Sequence, residues 1–224
     1  MSTLLSNHRS ANRPGGLIAL LVLIGALAIP RAPAWAQRVA GQATAAAVTT
    51  TAAGSQMFAG ATLPQAGGME QSDVDNANVN DTFGAAGLTS ITTGQIDGGL
   101  VSVTTSAEAA DVNILNGLIV AKAVMALATS YANGTTAQSE SAGSTLLSLV
   151  IAGVSYADGS PAPNTRVELP GVGYVVLNEQ ISGGDGVHSS NLTVKMIHVY
   201  LVDPLTGASA GEIVIGAAMS TAIL

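Results

Sequence analysis

The sequence contains no cysteine, and only 9% of its 224 residues are charged. The absence of cysteine excludes a disulfide framework and thiolate metal sites, so a stable fold has to depend on a buried core or on assembly. Aromatic residues are also scarce, at 3% of the chain. The 14 acidic and 7 basic residues give a net charge of −7. A surface of this sign repels phosphate backbones, which argues against nucleic-acid binding.

The N-terminal residues have the three-part organisation of a secretory signal. Arg9 and Arg13 form a basic segment, residues 17–29 form an uncharged apolar run, and an Ala-Trp-Ala triplet ending at Ala36 resembles a cleavage site. The apolar run has 13 residues, fewer than the roughly 20 that cross a bilayer as a helix. We therefore favour a cleaved signal peptide, residues 1–36, over an uncleaved anchor or a buried helix, and we expect secretion with no membrane span in the mature protein.

Removal of residues 1–36 leaves four basic residues against 14 acidic ones, a net charge of −10, in about 188 residues. This length allows one good-sized domain. Ala, Gly, Thr, Ser and Val dominate its composition. Small and β-branched residues of this kind suit strands that pack against other strands.

From residue 82 onwards, β-branched and apolar runs alternate with turn signals. Residues 88–93 and 100–105 predict a hairpin, and residues 192–202 are the clearest strand. Residues 111–131 are ambiguous, because their Ala-rich middle favours a helix whereas their β-branched residues and Asn-Gly turns favour strands. We expect strands, and the whole pattern predicts an all-β domain over residues 82–224, an antiparallel β-sandwich or jelly roll.

The residues before this domain have weaker signals. Residues 37–51 are small and β-branched, which fits an extended strand or a flexible tail. Residues 52–68 lack a period and predict a loop, and residues 69–81 are rich in Asp and Asn and predict a solvated loop. We therefore expect residues 37–81 to form an N-terminal extended segment with loops.

Few residues of the mature chain could support catalysis. Neither His188 nor His198 belongs to a zinc-binding motif, so a packed or surface histidine is the favoured interpretation of each. Ser144 follows a glycine but lacks the G-x-S-x-G pattern of a nucleophile elbow. The sequence therefore predicts a protein that is not an enzyme, with no catalytic or cofactor-binding residue.

One stretch of oxygen-bearing side chains is a weak calcium candidate, and its residues are Asp73, Asp75, Asn78 and Asp81. The stretch departs from an EF-hand loop, because its sixth position is Asn78 instead of glycine and its twelfth is Gly84 instead of glutamate. A plain solvated loop is the favoured interpretation.

Several segments of the C-terminal half carry a resemblance to a known family: residues 109–128, 163–173 (PNTRVELPGVG), 176–180 (VLNEQ), 192–194 with His198, and 211–218. Together they resemble the bacterial choice-of-anchor P family of secreted domains, over about half to two-thirds of the mature chain. The resemblance implies a β-rich extracellular domain without an established catalytic activity, tethered by a C-terminal sorting signal. The last residues, Ser220 to Leu224, match no such signal, so we expect free secretion or assembly.

Two functions fit these observations. The first is a structural protein of the cell surface that self-assembles into an extracellular fibre or layer by strand pairing, with residues 38–51 donated to a neighbour. The alternative is a secreted module that binds a ligand such as a carbohydrate, or serves in adhesion. Because sugar sites usually present aromatic platforms and the chain has few aromatic residues, the first function is the favoured one.

Overall fold

The computed structural model describes residues 37–51 and 54–224, and within them every regular element is a β-strand. The predicted signal peptide lies outside these residues. The strands are, in chain order, β1 (Arg38–Thr50), β2 (Gly54–Thr62), β3 (Gly68–Val79), β4 (Phe83–Asp97), β5 (Leu100–Ile114), β6 (Ile119–Ala132), β7 (Ala137–Glu140), β8 (Thr145–Leu147), β9 (Val150–Ile151), β10 (Val154–Ser155), β11 (Thr165–Leu169), β12 (Gly173–Gly184), β13 (Ser189–Val202) and β14 (Ser209–Ile223).

These strands form two antiparallel sheets packed face to face. Sheet I has the order β11-β12-β13-β14-β1-β2, and sheet II has the order β10-β9-β6-β5-β4-β3, with β7 and β8 also pairing with β6. In the core, β1, β13 and β14 contact β4, β5 and β6. The predicted β-sandwich is therefore confirmed, including the β4–β5 hairpin and the choice of strand over helix for residues 119–132.

Residues 37–51 and 54–81 depart from the sequence-based expectation. β1 lies inside sheet I, paired with β14 along one edge and with β2 along the other, so it is neither a tail nor a free strand. The two predicted loops are the edge strands β2 and β3. Most side chains of both strands are exposed. Their sequences therefore lack the alternation of apolar and polar residues by which a strand is recognised. Residues 37–81 are thus part of the sandwich.

Across each sheet runs a row of left-handed residues, here called the crease. In sheet I it comprises Asn178, Gly216 and Ala59, with φ values of 50°, 64° and 49°. The residues between them in the register are Met196 and Ala45. A comparable row in sheet II contains Gly87, Asp111 and Ser148, with φ values of 55°, 47° and 51°.

The crease reverses which side chains face the core. In β5 the odd-numbered residues from Val101 to Ala109 are buried, whereas beyond Asp111 the buried residues are Val112 and Ile114. In β1 the buried positions change from odd to even between Ala45 and Ala46. In β5 the exchange of faces falls at the left-handed Asp111, whereas in β1 it falls at Ala45, which lies opposite the left-handed Ala59 of β2.

The core is apolar at one end and lined by small and hydroxyl side chains at the other. At the second end, Ser130 of β6 meets Ser220 of β14 across the sandwich, with their Oγ atoms 2.7 Å apart. Gly41 of β1 lies so close to sheet II that a Cβ atom there would be 2.1 Å from Thr92 Oγ1. The two sheets can approach this closely only because the facing side chains are small.

Candidate functional site on the outer face of sheet I

Most of the charged and aromatic side chains of sheet I gather on its outer face, near the β11–β12 hairpin. This group, here called the outer-face network, consists of Arg166, Glu168, Tyr174, Glu179, Lys195, His198, Tyr200 and Glu212. Cross-strand register brings Tyr174 opposite Tyr200, Tyr200 opposite Glu212, and Glu179 opposite Lys195.

The crease assembles the network. Lys195 and His198 are three residues apart in β13, so in a regular strand they would point to opposite faces. The reversal at Met196 lets both face outwards, and the Lys195 Nζ atom lies 3.3 Å from His198 Nδ1. The sequence pattern alone would place His198 and Met196 on one face, which is wrong because Met196 points into the core and His198 does not.

His198 is the centre of the network. Its side chain is only 1% exposed, and it lies between two carboxylates: Nδ1 is 2.6 Å from Glu179 Oε2, and Nε2 is 2.9 Å from Glu212 Oε2. Both ring nitrogens lie within hydrogen-bonding distance of a carboxylate oxygen. The imidazole therefore links β12, β13 and β14 through charge-assisted contacts.

Glu179 receives more partners than any other carboxylate of the network. Its Oε1 accepts a hydrogen bond from the Tyr200 hydroxyl at 2.9 Å, and its Oε2 lies 3.5 Å from Lys195 Nζ in addition to the contact with His198. Burial works to raise the pKa of Glu179, but the hydrogen bonds from His198 and Tyr200 and the charges of His198 and Lys195 outweigh burial and lower it. Glu179 is therefore held in its ionised form.

Tyr200, in contrast to Glu179, is held in its protonated form. Burial first, and then the hydrogen bond to Glu179 and its negative charge, raise the pKa of the Tyr200 hydroxyl well above its usual value. The hydroxyl thus remains a donor at any physiological pH. A protonated phenol beside an ionised carboxylate is a stable pair, and neither group is poised to exchange a proton near neutral pH.

Arg166, Tyr174, Tyr200 and His198 form a ladder of stacked side chains. The guanidinium carbon of Arg166 lies 3.7 Å from the Tyr174 ring centroid, and Tyr200 stacks on Tyr174 at 4.7 Å between centroids. His198 lies 3.9 Å from the Tyr200 ring. Because Arg166 and Tyr200 come from the strands on either side of β12, both faces of the Tyr174 ring are covered, and no open platform remains for a sugar ring.

The geometry fits a role in holding the sheet together. Both ring nitrogens of His198 contact carboxylates, so neither is free to ligate an ion or to reach a substrate. Among the residues that the structure describes, no group of three or more His, Cys, Asp or Glu side chains could hold a metal ion. The network instead supplies cross-strand contacts to a sandwich that has no disulfide.

The calcium candidates Asp73, Asp75, Asn78 and Asp81 do not all converge, because Asn78 and Asp81 line one cleft whereas Asp73 and Asp75 lie outside its lining. The first three lie on the extended strand β3, and Asp81 lies in the following turn. At about 3.3 Å per residue, the strand separates positions 73 and 78 by about 17 Å. Asp73 instead accepts hydrogen bonds from Thr89 Oγ1 and Gln71 Nε2, each at 2.8 Å.

The other residues considered for chemistry have structural partners. Ser144 is buried, and its Oγ donates to the Leu127 carbonyl and accepts from the Leu127 amide, at 3.1 and 2.9 Å. His188 is exposed in the β12–β13 turn, where Asp185 accepts the backbone N–H groups of three residues of the turn, including His188. These hydrogen bonds lower the pKa of Asp185 strongly.

Sequence reasoning named His198 but missed its partners. Glu179 and Glu212 are distant from His198 in sequence, and only the register of three strands brings them together. The one available signal was the two tyrosines Tyr174 and Tyr200, each of which lies in a Val-rich stretch of the sequence.

Comparisons with family models, curated proteins and solved structures found no match to this chain. The resemblance to choice-of-anchor P domains therefore stays a prediction. No helix in residues 37–51 or 54–224 is long and apolar enough to cross a membrane.

Proposed function

We propose that this chain is a secreted structural protein that forms fibres by joining the two edges of sheet I from one copy to the next. The observation that carries the proposal is the contrast between its strand edges. Native proteins protect exposed edges with charged side chains, proline or very short strands, because an unprotected edge pairs with another strand. One edge of sheet I has none of these protections.

That edge is β2, which among the strands of residues 37–51 and 54–224 pairs only with β1. Its nine residues, GSQMFAGAT, include no charged residue and no proline, and residues 54–57 are all exposed. The Met57 side chain is 67% exposed. The edge strands of sheet II differ, because β3 carries Glu70, Asp73 and Asp75, and β10 has only two residues.

The opposite edge of sheet I is formed by β11 and by the end of β12. β11 pairs with Gly173 to Leu177, so no described strand pairs with the outer side of Ile181–Gly184. These four residues carry no charge, and Ile181 is 58% exposed. Further along this edge, Arg166 and Glu168 neutralise each other through a 2.6 Å contact.

Joining β2 of one copy to this opposite edge of the next is a heterologous contact, which repeats without closing and yields an open filament. It also replaces strand donation, because β1 already has a partner on both sides within its own chain. The exposed apolar side chains Met57 and Ile181 lie on the two surfaces that would meet.

The test is electron microscopy and light scattering of the mature protein, residues 37–224, with Met57→Lys and Ile181→Lys. We expect filaments of the wild type, none of either variant alone, and two-subunit complexes when the two variants are mixed, since the one functional edge of each variant can pair only with that of the other. Met69→Lys, which alters a 58% exposed methionine on the edge of sheet II, is the matched control and should still form filaments. Wild-type protein that stays monomeric at high concentration would contradict the proposal.

A further inference from the structure

An open cleft lined by side-chain amides lies at one end of sheet II, away from the outer-face network. It has a volume of about 470 Å³, and it is lined by Asn78, Asn80, Asp81, Thr82, Phe83, Gly84, Asn113 and Asn116. Four of these eight residues are asparagines, in a part of the sequence that the proposed assembly through sheet I does not use.

The floor and walls of the cleft follow from strand register. Gly84 of β4 is paired with Asn78 of β3 on one side and with Asn113 of β5 on the other. Because Gly84 has no side chain, the two asparagines stand on either side of a gap. A Cβ atom at Gly84 would have Asn78 Nδ2 as its nearest neighbour, at 3.5 Å.

Two turns form the rim and are tied to each other. The β3–β4 turn supplies Asn80 and Asp81, and the β5–β6 turn supplies Asn116. The Leu115 amide donates to the Thr82 carbonyl at 3.0 Å, which joins the turns. Asp81 and Asn116 both have left-handed backbones, with φ values of 55° and 54°. The rim is therefore held by backbone geometry, by the Thr82 hydroxyl, which donates to the Asn80 carbonyl at 3.0 Å, and by Asn113, and it does not depend on the side chains of Asn80, Asp81 or Asn116.

The side chains of the cleft keep their hydrogen-bonding capacity. Asn113 uses its Oδ1 to accept from the Gly117 amide at 2.7 Å. The side chains of Asn78, Asn80, Asp81 and Asn116 make no hydrogen bond to any other residue that the structure describes. Each side-chain amide offers two donors and one acceptor atom, and these amides line the open cleft.

The composition of the lining selects the class of ligand. It contains one carboxylate and no cation, so it disfavours phosphates, sulfates and uronic acids. A single carboxylate is also too little negative charge for a calcium site, which normally has six to eight oxygen ligands and several carboxylates among them. The aromatic ring of Phe83 is buried against Phe58, 5.9 Å away, so the lining exposes little apolar surface. Groups that both donate and accept, such as sugar hydroxyls, match it best.

We infer that this cleft binds a neutral saccharide through the amides of Asn78, Asn80, Asn113 and Asn116. Without an aromatic platform the affinity of one site rests on hydrogen bonds alone, and each contributes modestly. Repetition of the site along an assembly raises the overall affinity through multivalency. The cleft itself is complete within one chain.

The test is isothermal titration of the monomeric Met57→Lys protein with maltopentaose, cellopentaose, chitopentaose and mannopentaose, and separately with polygalacturonate and calcium chloride. We expect binding of at least one neutral oligosaccharide. Asn78→Ala should weaken it about fivefold, as expected for one lost hydrogen bond. Gly84→Leu fills the floor and should abolish binding, and the backbone there is not left-handed, so a side chain is tolerated.

Asn76→Ala is the matched control, because Asn76 is another exposed asparagine of β3 that lies outside the cleft. It should bind like the parent protein, and all variants should keep the parent's urea midpoint. Absence of binding to every neutral oligosaccharide overturns the inference. Binding that survives Gly84→Leu, or heat from polygalacturonate or calcium alone, overturns it as well.

Discussion

Replacing His198 with leucine tests whether the outer-face network stabilises the sandwich. Leucine keeps a similar volume but removes both ring nitrogens, so Glu179, whose side chain is only 17% exposed, loses its shortest contact. A hydrogen bond to a charged group contributes about 1.5–3 kcal/mol. The contact with Glu212 adds less, because that carboxylate is 50% exposed and water can replace the histidine.

We therefore expect His198→Leu to lower the free energy of unfolding by about 2 kcal/mol, or Tm by about 4–8 °C for a domain of this size. Urea denaturation followed by circular dichroism measures the first quantity, and calorimetry measures the second. His188→Leu is the matched control, because that side chain is 56% exposed and its removal should cause no resolvable change.

A second substitution identifies the cause. Adding Glu179→Gln to His198→Leu removes the charge that has lost its shortest contact, so the double variant should be more stable than His198→Leu alone. If His198→Leu and His188→Leu have equal effects, or if Glu179→Gln destabilises both backgrounds equally, the network does not act as described.

Two further predictions concern the same sheet. Because the pKa of Glu179 is lowered in the folded state, its contribution to the free energy of unfolding is present above the unfolded value of 4.5 and is lost as pH falls through the folded value. The urea concentration at the unfolding midpoint should therefore decrease when the pH is lowered below 4.5, and it should decrease less in Glu179→Gln. At the crease, Ala59→Gly should stabilise the protein by about 1 kcal/mol, since alanine has an unfavourable left-handed backbone there. Ala45→Gly, opposite Ala59 in the register, should destabilise it, and a urea series that ranks the two variants in the reverse order would contradict the assignment.

The fold class could be predicted from the sequence because β-branched runs and turn residues are local signals. The predicted strand at residues 192–202 is β13 with three residues missing at its start. The faces of that strand could not be predicted, because the reversal at Met196 depends on left-handed residues in its neighbours, Asn178 and Gly216. A rule of strict alternation has no means of detecting them.

The edge strands and the site were missed for a different reason. β2 and β3 have one neighbour each within their sheets, so burial imposes little pattern on their residues. The contacts of His198 with Glu179 and Glu212 depend on the pairing of three strands, which side-chain composition does not encode locally. The sequence identified His198 as a candidate by its residue type, but it gave no indication of the partners of His198.

The pairing of β1 with β14 also has a kinetic consequence. β1 begins at the second described residue and β14 ends at the second-last, with Arg38 opposite Ile223. Contacts between such distant segments form slowly, because the loop between them must lose its entropy first. Until β14 is available, the β1–β2 hairpin has an open strand edge where the centre of sheet I will be. We therefore expect sheet I to close in a single late step, and any delay in that step to expose β1 to the strands of other chains.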